Sequence, residues 1–155
     1  MIIQLYIQAH DQDKIDKLDV YRYIDNLLKT SKKDQFKVII MGDFNVDPIK
    51  LDTIRVRNDT RLHWKYNLLV SLKQKHFKNV IKVCHSSSSQ SLPPTWIRNS
   101  LSSRIDLIFI DRDLLPDLIH GQTSKPHIFT TDHRIVNAYF MTQGIFTCPN
   151  IANMK

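Results

Sequence analysis

The stretch that decides the fold is FKVIIMGDFN, which runs from Phe36 to Asn45. Its first part, Phe36 to Met41, is a short and nearly continuous apolar run, the pattern of a strand that is buried on both faces. The run stops at Gly42 and Asp43, where a flexible glycine precedes a carboxylate. Taken alone, Gly-Asp after a strand is most often a turn. Its place at a strand end still makes Asp43 a candidate side chain for the edge of a cleft.

Strands and helices are mixed around this stretch without a strict βαβ rhythm, and no repeat or domain boundary interrupts them. We therefore predict one domain of the α+β class. The predicted helices run from about Asp13, the N-cap, to Thr30, and from Asp59 or Thr60 to about Val70. The predicted strands are Ile2–Ile7, Phe36–Met41, Val80–Val83, Thr95–Ile97, Arg104–Ile110 and Ile135–Met141, with a polar turn at Asn99–Ser103 and at most one helical turn at Leu114–Leu118.

The composition is that of a globular protein with a basic surface. The 155 residues are 42% hydrophobic and 24% charged, and 22 Lys and Arg against 15 Asp and Glu leave a net charge of +7. A pI near 9.5 favours polyanionic partners such as nucleic acid, although general surface solubility explains such a charge equally well. Cys84 and Cys148 form no Cys-x-x-Cys pair, so the sequence supports neither a zinc site nor paired disulfides.

The sequence has no segment typical of targeting or membrane insertion. Residues Met1 to His10 lack a basic leader and a sustained apolar run, and no stretch approaches the ~20 apolar residues of a membrane helix. We therefore expect an intracellular protein without membrane attachment, in the nucleus or the cytoplasm. Nothing in the sequence indicates an oligomeric state.

The predicted strand from Arg104 to Ile110 carries a carboxylate in an apolar setting. The two-residue period of a strand places Asp106 on the face of Ile108 and Ile110, and the opposite face is apolar as well. Asp106 should thus be at least partly buried whichever face meets the core. A buried carboxylate is costly unless it is paired or near a metal. A structural ion pair with Arg104 or another base is the alternative to a functional role.

The third polar segment is Thr131-Asp132-His133, directly before the last predicted strand, where adjacent Asp and His are common by chance. In this order, however, Gly-Asp-Phe-Asn, Arg-Ile-Asp-x-Ile-Phe and x-Asp-His resemble the C-terminal motifs of the endonuclease/exonuclease/phosphatase family. The resemblance covers about Ile2 to Phe140 and includes Tyr6 and the Thr95-Trp96 pair. Members include DNase I-like nucleases, apurinic endonucleases, endonuclease domains of non-LTR retrotransposons, and some phosphoinositide and sphingolipid phosphatases.

The resemblance implies roles for five residues in phosphodiester hydrolysis. It implies that Asp43 orients and activates the attacking water, and that Asn45 hydrogen-bonds the phosphate. Tyr6 would approach the phosphate through its hydroxyl. His133 would donate to a phosphoryl oxygen, and Asp106 would hold the His133 ring in one tautomer.

The resemblance also implies a divalent cation, with Asp132 as a ligand. Carboxylate and amide oxygens suit Mg²⁺ or Mn²⁺ rather than zinc. The implied function is an endonuclease-like, metal-dependent hydrolase of nucleic acid, with the net charge favouring that substrate. The alternatives are a non-catalytic module that binds nucleic acid, and a phosphatase that acts on a phospholipid or a sugar phosphate.

The family fold is a four-layer α/β/β/α sandwich, whose first half carries an Asn and a metal-binding Glu on strands ahead of the Tyr6 strand. This sequence begins at the Tyr6 strand. We therefore expect residues 1–141 to form an incomplete sandwich of the DNase I-like type, a partial domain, and residues 142–155 to be a tail without recognised structure. Without the Glu, we expect the isolated chain to be a weak or inactive catalyst.

Overall fold

A computed structural model describes residues 1–9, 14–56, 64–86 and 91–141 of the chain. Eight strands and four α-helices lie in these residues. The helices are α1 (Lys14–Lys33), α2 (Pro48–Val56), α3 (Asn67–Gln74) and α4 (Val80–Cys84). The strands are β1 (Ile2–Tyr6), β2 (Ile39–Asp43), β3 (Lys78–Asn79), β4 (Trp96–Arg98), β5 (Leu101–Ser103), β6 (Asp106–Ile110), β7 (Leu118–Ser124) and β8 (Ile135–Phe140). Short 3₁₀ helices occupy Trp64–Tyr66 and Arg112–Asp117.

Four strands form the central sheet, in the order β1-β2-β6-β3. β1 runs parallel to β2, whereas β6 is antiparallel to both β2 and β3. Because successive side chains of a strand point to opposite faces, Ile40 and Phe109 lie on one face, and Ile39 and Ile110 on the other. Both faces of the central sheet are therefore apolar, as the continuous hydrophobic run in β2 predicts.

Helices cover the first of these faces. Tyr21, Ile24 and Leu28 recur at helical spacing on α1, and all three are buried in a core cluster with Ile40 and Phe109. The α3 residues in the same cluster are Leu68, Leu69 and Leu72. The helix predicted after the first strand thus lies in an outer helical layer. In the part of the chain that the structure describes, no helix has the length and apolar character of a membrane span.

A second sheet covers the opposite face of the central sheet. β7 and β8 pair antiparallel, and Val136 and Phe140 of β8 pack against a cluster that contains Ile108 and Ile110. The layers are therefore helix, sheet and sheet. This mixed arrangement confirms the predicted α+β class and agrees with an incomplete α/β/β/α sandwich.

Two predicted strands are corrected by the structure. Val80–Val83, predicted as a strand, is helix α4, because Oδ1 of Asn79 accepts a hydrogen bond from the Lys82 amide at 3.1 Å and caps the first turn. The strand predicted from Arg104 begins only at Asp106. The residues just before it, predicted as the end of a polar turn, form strand β5.

Element boundaries differ elsewhere as well. β2 begins at Ile39 rather than Phe36 and continues through Asp43. Helix α2 was not predicted, and it begins where Oδ1 of Asp47 accepts from the Ile49 amide at 2.9 Å, a side-chain cap. Strand β7 was not predicted either, because only its pairing with β8 distinguishes it from a polar loop. The predicted N-cap Asp13, the predicted start of the second helix and the tail at 142–155 lie outside the described residues.

Candidate active site

Two carboxylates meet where β2 ends and β6 begins. The strands are antiparallel, and their register pairs Asp43 directly with Asp106. Since paired residues of neighbouring strands share a face, both side chains lie on the face that the β7–β8 sheet covers. Like charges directly opposite each other destabilise a strand pair. The two carboxylates therefore need a neighbouring hydrogen-bond donor or cation to offset their repulsion.

His133 supplies part of this compensation. Its Nδ1 lies 3.1 Å from Oδ1 and 3.0 Å from Oδ2 of Asp106. With its proton on Nδ1, the ring donates to the carboxylate and presents Nε2 as an acceptor, and a protonated ring donates from both nitrogens. Ligand atoms of Asp43, Asp106 and His133 all lie within 4.8 Å of one another. The structure thus brings together three of the predicted site residues.

The environment of Asp43 opposes its ionisation. Burial raises the pKa of the Asp43 carboxyl, and the charge of Asp106 raises it further, while the Asn45 amide and the charge of His133 lower it. The net direction is upward. A carboxylate with a raised pKa accepts a proton more readily than an ordinary aspartate does, provided that it is ionised.

Asn45 shapes the loop that follows Asp43. Its backbone is left-handed, with a φ of 49°, a conformation that Asn adopts more readily than most residues. Its main-chain amide donates to Oδ1 of Asp43 at 2.9 Å, and its side-chain Nδ2 donates to the carbonyl of Ile7. Asn45 therefore ties the loop to the end of β1. The second hydrogen of Nδ2 is free of this bond, and it is the one that would donate to a phosphate in the predicted contact.

The residue before Asp43 has to be glycine. Gly42 has a φ of 139°, and a Cβ built on it would lie 1.9 Å from the carbonyl oxygen of Leu5. β1 and β2 pair in parallel here, with Leu5 opposite Gly42 and Tyr6 opposite Asp43. The close approach of the two backbones thus places Tyr6 next to Asp43.

One open cavity of about 390 Å³ joins the acidic pair to Tyr6, whereas His133 and Asn45 are not among the residues that line it. Tyr6, Asp43 and Asp106 line it, and Tyr6 is 76% exposed. Arg134 lines the same cavity and adds a cation beside the acidic pair. Arg134 was not predicted as a site residue, although its position directly after the Asp-His pair is a signal that could have found it.

A buried threonine positions both Asp106 and the segment next to His133. Thr95 is fully buried, and its Oγ1 accepts hydrogen bonds from the amides of Ile105 and Asp106, both at 2.9 Å. Its carbonyl accepts from the Arg134 amide at 2.7 Å. This role was not predicted, because the sequence around a threonine next to a strand does not reveal what its hydroxyl binds.

Asp132 lies beside this group. It is exposed, and its Oδ2 accepts a hydrogen bond from the Trp96 indole nitrogen at 2.9 Å. A β-bridge between Trp96 and His133 holds the Asp-His segment against β4. Among the described residues, the group within 4.8 Å contains Asp43, Asp106 and His133 but not Asp132, whose role as a metal ligand stays a prediction.

Arg104, the alternative partner considered for Asp106, is buried beside Asp47 instead. Asp47, which is buried too, accepts from the Arg104 amide at 3.2 Å and from the Ser103 hydroxyl at 3.1 Å. Burial lowers the pKa of the Arg104 guanidinium, and the charge of Asp47 acts in the opposite direction. Asp106 therefore has His133 as its partner rather than Arg104. Asp47, which was not predicted, joins the loop after Asn45 to the segment that precedes β6.

The donor set fits a hard divalent cation. Two carboxylates that repel each other offer oxygen ligands at one point, and oxygen ligands are those that Mg²⁺ and Mn²⁺ prefer. A bound cation would also relieve the repulsion between Asp43 and Asp106. The residues present are therefore compatible with the cation that the motifs imply.

Comparisons with known proteins identify the family and the fold. A model of the Endonuclease/Exonuclease/phosphatase family matches residues 6–133. That range begins at Tyr6 and ends at His133, so it contains all six predicted site residues. A comparison with curated proteins finds no match.

Solved structures share the fold. The 3′ phosphatase NExo from Neisseria, bound to a product DNA hairpin, has a TM-score of 0.69, and the 3′-5′ exonuclease NExo from Neisseria meningitidis has 0.67. Each is 16% identical, and each match covers 90% of this chain and 60% of the solved one. The endonuclease domain of TRAS1, a telomere-specific non-LTR retrotransposon, is also 16% identical, with a TM-score of 0.55 over 89% of this chain and 56% of its own. The chain thus spans about 60% of the length of the NExo structures, and at such identities the likeness shows the fold alone.

Proposed function

The chain belongs to the Endonuclease/Exonuclease/phosphatase family, and we propose that it is a metal-dependent phosphodiesterase that hydrolyses nucleic acid. The observation that carries the proposal is the Asp43–Asp106 pair, two carboxylates held opposite each other with His133 hydrogen-bonded to one of them. Local violations of folding rules concentrate at functional sites, and a like-charge pair across two strands is such a violation.

The side chains of the site divide the work of phosphodiester hydrolysis. Asp43 accepts a proton from the attacking water. Asp106 holds the His133 ring through Nδ1 and directs Nε2 outward, where a protonated ring donates to a phosphoryl oxygen and stabilises its developing charge. Asn45 and Tyr6 contact the phosphate.

A divalent ion such as Mg²⁺ or Mn²⁺ neutralises charge on the phosphoryl oxygens when it is bound. The carboxylates of Asp43 and Asp106 would hold it, with Asp132 as the further ligand that the motifs imply. Because Oδ2 of Asp132 accepts a hydrogen bond from Trp96, Asp132→Asn tests this ligand directly.

Nucleic acid is the substrate that the surface favours. The net charge is +7, and Arg134 places a cation in the cavity of the acidic pair. Among proteins of this fold, NExo has a structure with a DNA hairpin, and the TRAS1 domain is an endonuclease. These points favour nucleic acid over a phospholipid or a sugar phosphate.

Removal of a 3′ phosphate from DNA is the second candidate, because a solved structure with this fold is described as a 3′ phosphatase. The same site residues would serve it. Oligonucleotides with and without a 3′ phosphate, each carrying an internal fluorophore, separate the two reactions by the length and charge of their products.

The test is incubation of the purified chain with plasmid DNA, RNA and these oligonucleotides in Mg²⁺ or Mn²⁺, with a chelator as the blank. We expect slow, metal-dependent hydrolysis that Asp43→Ala and His133→Ala abolish. Asp19→Ala, which removes an exposed carboxylate on α1, is the matched control and should keep the wild-type rate. Salt-sensitive binding without hydrolysis would instead support a non-catalytic nucleic-acid-binding module. Hydrolysis that survives both site variants would refute the proposal.

A further inference from the structure

The connection between β7 and β8 exposes two neighbouring apolar side chains beside the candidate site. Ile128 is 96% exposed and Phe129 is 63% exposed. His133 follows Phe129 by four positions, and Oγ1 of Thr131 accepts a hydrogen bond from the His133 amide at 3.1 Å. Since a residue spans at most ~3.6 Å, the Cα atoms of Phe129 and His133 lie within about 14 Å of each other.

These side chains do not stabilise the fold. Neither Ile128 nor Phe129 belongs to the two core clusters of the described residues. The segment is nevertheless held at both ends, because Pro126 is buried and a β-bridge joins His133 to Trp96. A segment fixed at its ends, with apolar side chains held in water at its tip, is suited to contact a ligand.

The charge around this tip selects the kind of ligand. From Leu118 to Thr131 the chain has no acidic residue, and the next one is Asp132 of the candidate site. Two basic residues, Lys125 and His127, precede the apolar pair and are exposed. Cationic side chains that track a phosphate backbone, combined with an aromatic ring on which a base can stack, are the features that bind unpaired nucleic acid.

We propose that Phe129, with Ile128 beside it, stacks against an unpaired base next to the phosphate that the site holds, while Lys125 contacts the backbone. The inference rests on the proposed function and narrows its substrate to nucleic acid with single-stranded character at the site. Base stacking on an aromatic side chain changes affinity by roughly 5- to 100-fold.

The test measures binding of the full chain to a fluorescent single-stranded oligonucleotide by anisotropy, with chelator present to prevent hydrolysis. Phe129→Ala should weaken binding by about 5- to 100-fold, without a change in its salt dependence. Lys125→Ala should reduce the salt slope by about one unit. Phe36→Ala is the matched control, because Phe36 is 56% exposed and precedes β2, at the end of the strand opposite to Asp43.

An abasic oligonucleotide of the same length provides the second comparison. It keeps the phosphates and lacks the bases, so wild type and Phe129→Ala should bind it equally. Equal affinity of the two proteins for the normal oligonucleotide would overturn the inference, even where the wild type hydrolyses it and the proposed function stands. A wild-type chain that neither binds nor hydrolyses any oligonucleotide would overturn both. The chain could also bind phosphatidylserine vesicles. If Phe129→Ala abolishes that binding and leaves oligonucleotide binding unchanged, the segment contacts a lipid surface and the inference is overturned.

Discussion

Replacement of Thr95 by valine tests how the site is held together. The two side chains have nearly the same shape, so the change removes the hydroxyl and leaves the packing in place. The amides of Ile105 and Asp106 then lose the acceptor that they share, the hydroxyl of the fully buried Thr95. An unsatisfied buried donor costs about 1–3 kcal/mol, so two amount to at most ~6 kcal/mol. We expect the free energy of unfolding to fall by about 2–4 kcal/mol, because water can reach the start of a strand and replace part of the lost acceptor.

Chemical denaturation and thermal melting measure this loss. For a protein of this size, a loss of 2–4 kcal/mol lowers the Tm by roughly 4–16 °C. Thr95→Ser is the matched variant, because it keeps the acceptor and loses one methyl group, at a cost of about 1 kcal/mol. Amide hydrogen exchange at Ile105 and Asp106 should accelerate in the valine variant and not in the serine variant. If Thr95→Val is as stable as Thr95→Ser, the hydroxyl does not hold the Asp106 segment and the positioning role is refuted.

Three further predictions concern the acidic pair and its neighbours. Gly42→Ala should destabilise the fold by at least about 3 kcal/mol, seen as loss of the far-UV signal or of soluble protein, because its Cβ would overlap the Leu5 carbonyl at a positive φ. Because the fold raises the pKa of Asp43, protonation of this carboxyl stabilises the folded state. This stabilisation is fully present below the ordinary pKa of an aspartate and is lost as the pH rises through the raised pKa. Asp43→Asn should therefore be more stable than wild type in chelator at pH 7, and the difference should vanish toward acid in denaturation series. Mn²⁺ at tenfold above its Kd should stabilise the wild type by ~1.4 kcal/mol in thermal melts and should not stabilise Asp43→Asn. If Mn²⁺ raises the melting temperature of Asp132→Asn as much as that of the wild type, Asp132 is not a metal ligand.

The parts of the fold that could be predicted are those in which a local pattern decides the structure. The apolar run before Gly42 forms β2, and the helical spacing after β1 forms α1, because each pattern matches a single element. Val80–Val83 was predicted wrongly for the opposite reason. Its branched apolar residues favour a strand, and the cap from Asn79 together with burial of Val80 and Ile81 makes it a helix.

The candidate side chains could be named from the sequence because motif order points to them, and the structure brings three of them together, Asp43, Asp106 and His133. What holds them in place could not be predicted. The register that sets Asp43 opposite Asp106 joins residues more than sixty positions apart, and no local pattern encodes that pairing. The same is true of the Thr95 hydroxyl, whose partners lie ten and eleven positions along the chain, and of the bond between Asp132 and Trp96.

The acidic pair is held from three directions, and this explains how the fold tolerates it. β1 approaches through Gly42, the β4 segment binds Asp106 through Thr95, and Asp47 joins the loop after Asp43 to the residues before β6. Each support is a backbone or buried contact that does not depend on the ionisation of Asp43. These contacts oppose separation of the two strands, so the repulsion between Asp43 and Asp106 that His133 does not offset favours a proton or a cation at this point. A site whose supports were weaker would relieve the same repulsion by separating, and would lose the geometry that the proposed hydrolysis requires.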